Sequence, residues 1–192
     1  MAVAIRRETP TEYFRELVES TLMDQHVEAG ELTSFYLVNL LTGFVHADRS
    51  AAASEALCLQ LVKAMQSGGS RQRDGLRQVG DLSLFISGFF ADSLNRRLVD
   101  VDYYVRLGAT AYGSLARQGD EALGDVFDEL AEKFPAFVDV LGEISERTNL
   151  TSNTDLLRLY EKWMRTGSRR QGELLVERGI VPNASVGTRF IQ

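Results

Sequence analysis

Only one cysteine, Cys58, stands in the 192 residues, so no disulfide can form within the chain and nothing points to an oxidising compartment. Its neighbours Leu57, Leu59 and Leu61 predict a small buried hydrophobe, with a reactive thiol as the alternative. Histidines are nearly absent too. The two present, His26 and His46, have Met23 and Gly43 three residues before them, so the Glu-x-x-His pair of a carboxylate-bridged metal centre cannot be built. Asp24, His26, Glu28 and Glu31 gather several donors in sequence, but a solvated helix end puts polar residues there without a metal, and no metal site is expected. No serine sits in a Gly-x-Ser-x-Gly setting. None of the three lysines, Lys63, Lys133 and Lys162, follows a glycine loop of the phosphate-binding kind. We therefore assign no catalytic residue and no cofactor.

Prolines number three, which leaves the chain free to be helical. A positive balance is missing as well: the net charge of -6 and pI near 5.0 disfavour non-specific nucleic-acid binding by the whole chain. Hydrophobic residues at 44% and charged residues at 25% describe a folded domain rather than a disordered one. A chain of this length buries roughly 70% of its unfolded surface. Arg6-Arg7 precede no apolar run, so neither a secretory nor a twin-arginine signal is read there, and the expected location is cytoplasmic.

What the sequence does hold is an uncharged stretch from Leu32 to Ala47, LTSFYLVNLLTGFVHA. Its apolar residues fall on every side of a helical wheel, which predicts a helix enclosed on all sides. It is short for a bilayer, which takes ~20 residues, and it carries Thr33, Ser34, Asn39 and Thr42, so no membrane span is expected.

The expected fold is all-α: about seven helices in one bundle (1–150) around residues 32–47, with a short helical pair and tail (151–192) packed on it. Thr9-Pro10-Thr11-Glu12 is a helix start with a capping box, followed by Tyr13, Phe14, Leu17, Val18 and Leu22 at helical spacing. A third helix from about Asp48 or Ser50 turns Leu57, Cys58, Leu61, Val62 and Met65 inward and stops at Gly68-Gly69. The polar stretch GGSRQRDG that follows is expected as a loop. Next, a long apolar pattern runs from Leu76 to Leu98, in which Gly80 and Gly88 mark a kink or a close helix approach. Ala109, Gly113 and Ala116 form a row of small residues suited to a tight crossing. Pro135 forces a break between a sixth helix (Leu123, Val126, Phe127, Leu130, Phe134 inward) and a seventh (Phe137, Val138, Leu141, Ile144).

Function is read from charge and aromatic placement. Nine acidic residues lie between Asp120 and Glu146 against Lys133 alone, whereas Arg158, Lys162, Arg165, Arg169 and Arg170 face only Glu161. Trp163 among these arginines has the composition of an interface hot spot. The leading expectation is a non-enzymatic interaction or regulatory module that self-associates or binds a protein partner through Trp163, Arg165, Arg169 and Arg170. The alternative is a small-molecule or haem-binding bundle with a cavity beside Phe35, Asn39, Phe44 and His46, the histidine standing as an axial ligand. A third, weaker reading takes the C-terminal pair as a helix-turn-helix whose Arg169, Arg170 and Arg178 meet DNA phosphates. Glu173 and Glu177 on the same segment oppose it.

Overall fold

The computed structural model describes residues 9–46, 56–90, 101–119 and 122–148, together with Trp163, Arg169, Gly172, Leu175 and Val176. Every regular element among them is an α-helix: α1 (Pro10–Asp24), α2 (Glu31–His46), α3 (Leu57–Gln66), α4 (Gly69–Phe89), α5 (Val101–Ala116), α6 (Gly124–Glu132) and α7 (Phe134–Arg147). They pack as an all-α bundle. None of them is long and apolar enough to cross a membrane.

The α1 start is the expected capping box. The Thr9 backbone N–H donates to the Glu12 carboxylate at 2.9 Å, and the Glu12 N–H donates to the Thr9 hydroxyl at 3.3 Å. Phe14, Val18, Thr21 and Leu22 then form the buried stripe, while Tyr13 stays 40% exposed. Its far end is a Schellman turn: the Val27 N–H reaches the Leu22 carbonyl (2.9 Å) and the His26 N–H reaches that of Met23 (3.2 Å). His26 therefore occupies the left-handed position, at φ 56, that glycine normally takes. Its ring Nδ1 lies 3.0 Å from the Met23 carbonyl and donates to it. His26→Gly is expected to raise stability by about 1 kcal/mol in thermal unfolding, because relief of left-handed strain outweighs that one exposed bond. A loss of stability would show that the imidazole bond governs the turn.

The enclosed axis is α4, not α2. Every residue from Leu82 to Phe90 is buried, and α3, α5 and α7 all lie against this helix. On α2, Thr33, Tyr36, Leu37, Val38, Leu40 and Leu41 are buried, yet Leu32 is 59% exposed, Phe35 52%, and Asn39 faces out. The reason lies in the glycines. A Cβ on Gly80 would sit 2.5 Å from the Tyr112 ring and one on Gly88 2.4 Å from Leu141 Cβ, so neighbours close directly onto the α4 backbone. Gly43 on α2 has nothing within 4 Å. Of the two readings of Gly80 and Gly88, the close approach is the one observed. On α5 the tight crossing passes through Gly108, against Phe134 and Ser83; Gly113 meets Ala131 in ordinary contact at 3.8 Å.

Two further expectations are corrected. SRQRDG is not a loop: α4 begins at Gly69, and this polar segment is its solvated first turns. The break is confined to Ser67 and Gly68, and the Gln72 amide donates back to the Met65 carbonyl at 3.4 Å across it. Cys58 is exposed. Helix α3 buries Leu57, Gln60, Leu61 and Ala64 instead, at spacings of three and four, which leaves Cys58, Leu59, Val62 and Met65 on the outer side.

The break at Lys133 and restart at Phe134-Pro135 follow the sequence, and the expected inward residues of α6 and α7 are buried except half-buried Leu123; Val140 and Ser145 are buried as well. The α1–α2 pair is tied to α6 and α7 by polar contacts at its edge. Glu129 accepts the Gly30 N–H (3.0 Å), Lys133 donates to the Glu28 carbonyl (2.8 Å), and Gln25 donates to Glu143 (2.6 Å). Arg147 bridges Asp24 at 2.6 Å and Glu143. Trp163 and Leu175 are buried in the same core as the bundle. Helix α3 begins at Leu57 after non-helical Ala56, so the third helix does not run unbroken from Asp48 or Ser50 as expected; those two positions, the rest of the expected C-terminal pair and the boundary at residue 150 lie outside the described residues.

Candidate functional site

Asp81, which directly follows Gly80 on α4, is a half-buried carboxylate where α2 and α5 meet α4. The missing Cβ at Gly80 lets the Tyr112 ring of α5 lie on the α4 backbone. This brings the Tyr112 hydroxyl to Asp81 Oδ1, to which it donates at 2.7 Å. Tyr36 of α2 donates to the same oxygen at 2.6 Å. Phe127 of α6 closes the group, stacked on Tyr112 (5.9 Å between centroids) and edge-on to Tyr36 (5.7 Å).

Arg77, one turn before Asp81, completes the arrangement. Its Nε donates to the Tyr36 hydroxyl at 3.1 Å, its guanidinium lies 5.2 Å from the centre of the Tyr36 ring, and Asp81 Oδ2 is 3.8 Å away. Burial raises the Asp81 carboxyl above the usual range, against the opposing pull of the two phenols and Arg77. Burial and the adjacent Asp81 charge push both tyrosines well above the usual phenol value. Four side chains from three helices thus satisfy one another. The geometry is that of a tie that fixes where α2 and α5 sit on α4, with each phenol proton committed to Asp81.

The surface of the bundle carries a cleft that adjoins this tie and a groove elsewhere. Above Arg77, a cleft of about 290 Å³ opens between α4, α5 and α6, lined by Ser70, Arg73, Asp74, Arg77, Leu115, Leu123 and Phe127. A second groove, of about 380 Å³, runs between α3 and α5, bordered by Leu61, Asp102, Tyr103, Arg106, Leu107 and Thr110. Burial and the neighbouring Cys58 thiol push Tyr103 up to about 12. Beside it lies the outer stripe of α3, where Leu59, Val62 and Met65 are 51%, 49% and 47% exposed.

The residues singled out from sequence are distributed differently. Trp163 is 4% exposed, packed in the core with its Nε1 3.0 Å from where a Gly172 Cβ would stand, so it is not an exposed anchor. Arg169 is exposed; Arg165 and Arg170 lie outside the described residues. Phe35 and Asn39 are on the open side of α2, and neither lines the two clefts above. Phe44 and His46 belong to the last turn of α2, and their side chains fall outside what is described. Of the acidic run, Glu129 and Glu143 serve the α1–α2 attachment, while Asp125, Asp128, Glu132, Asp139 and Glu146 face solvent.

Periodicity passed over Asp81, Tyr36, Tyr112 and Arg77. The available signal was a lone carboxylate between Gly80 and Leu82, inside an apolar helix pattern and four residues after an arginine. Comparison with known proteins finds no family model, no curated relative and no solved structure that matches this chain.

Proposed function

We propose that the protein is a non-enzymatic interaction module, cytoplasmic, that pairs with a second copy of itself through the outer face of α3 and the α3–α5 groove. The observation that carries this reading is the stripe Leu59, Val62 and Met65, three large apolar side chains on adjacent turns, each about half exposed. Contiguous apolar surface of this kind marks contact sites more often than scattered single residues do. A second copy is the occupant favoured by the charges at the groove, where Asp102 and Arg106 lie together. A two-fold axis sets each residue of one copy against its counterpart's partner, so Asp102 meets Arg106 twice. The exposed thiol of Cys58 fits a reducing compartment.

Sedimentation velocity tests the proposal. The wild type is expected to be a dimer at about 50 µM, and Leu59→Glu/Val62→Glu a monomer with unchanged helical circular dichroism. A wild type that stays monomeric at that concentration, or a variant that still dimerises, would overturn it.

A further inference from the structure

We infer that the cleft between α4, α5 and α6 binds a small organic anion, an acidic head on an apolar body. This goes beyond self-association and concerns residues that the α3–α5 groove does not share. Arg73 and Arg77 stand one turn apart on α4 and both line the cleft. Like charges four residues apart on a helix repel. An anion between them offsets that repulsion.

Arg77 is also held ready. Its Nε donates to Tyr36 and its face rests over that ring, while the two phenols take Asp81 Oδ1 and Oδ2 lies 3.8 Å from the guanidinium. The guanidinium is oriented by Tyr36 and by a long ion pair to Asp81, and its side chain remains 52% exposed, which leaves it able to meet a carboxylate or phosphate. Leu115, Leu123 and Phe127 supply an apolar wall. A volume of about 290 Å³ sits at the lower edge of small-molecule sites and admits one ring with its acid group. Asp74 shares the rim and offsets part of the positive charge, so binding is moderate rather than tight.

The test is a titration followed by the backbone amide signals of Leu115, Leu123 and Phe127, using phenylacetate, phenyl phosphate, inorganic phosphate and the neutral phenylacetamide as probes. Phenylacetate or phenyl phosphate is expected to bind with a dissociation constant of order 1 mM and at least tenfold tighter than phenylacetamide. Whichever of the two is tighter assigns the acid group, and either order supports the site. Arg73→Gln should weaken binding at least fivefold at unchanged melting temperature, and Asp74→Asn should tighten it at least threefold. Equal affinity for acid and amide, inorganic phosphate binding as well as phenyl phosphate, no shift at these amides by 10 mM probe (a limit set about tenfold above the expected constant), or indifference to Arg73→Gln would each overturn the inference.

Discussion

Replacing Gly108 by alanine is expected to destabilise the protein by about 3 kcal/mol in urea denaturation, although alanine is the better helix former by ~1 kcal/mol. The new methyl would stand 2.3 and 2.4 Å from the Phe134 ring and 2.9 Å from Ser83 Cβ. Neither neighbour can withdraw. Phe134 is fully buried at the start of α7, tilted against Tyr112, and Ser83 is backbone-proximal on the enclosed half of α4. Gly43→Ala is the paired control. With nothing within 4 Å of that Cβ, only the propensity gain remains, and a stabilisation of ~1 kcal/mol is expected. Equal signs at the two positions would show that α5 does not approach α4 and α7 as closely as described.

Asp81→Ala is expected to cost about 4 kcal/mol, since one acceptor oxygen serves both Tyr36 and Tyr112 and its loss strands two buried hydroxyls beside Arg77. Asp81→Asn should cost much less at neutral pH, because its amide oxygen can take both phenols. The comparison carries a pH signature. Asp81 titrates above its unfolded value in the native state, so between the two the folded protein holds a proton that the unfolded chain has released. Wild-type stability relative to Asp81→Asn is therefore greatest below the ordinary carboxyl pKa and declines as pH rises through that window. A difference that grows with pH would mean that Arg77 and the phenols outweigh burial.

These two sites also show what the sequence could and could not reveal. Breaks are local chemistry, and Thr9-Pro10-Thr11-Glu12, Gly68-Gly69 and Pro135 all announced themselves. The buried residues of α6 and most of those on α7 followed from spacing alone, Val140 and Ser145 being the ones it passed over. The exchange of α2 for α4 at the centre did not, because both hold apolar uncharged runs; what separates them is whether a neighbour has a large side chain opposite each glycine, and that is a long-range fact. On α3 two stripes overlap, one through Leu57, Leu61 and Ala64 and one through Cys58, Val62 and Met65. Periodicity cannot choose between them. The Asp81 tie joins residues 45 and 31 positions apart. Only Asp81's isolation among apolar neighbours hinted at it.

The edge contacts of the α1–α2 pair set the order in which the molecule comes apart. Glu129, Glu143, Lys133 and Arg147 grip it near the surface, where salt and acid loosen carboxylate bonds. Its deep attachment includes Tyr36 on Asp81. Partial opening is therefore expected to start with this hairpin lifting as a unit from the other five described helices, and parting Tyr36 from Asp81 is the step at which that excursion becomes costly.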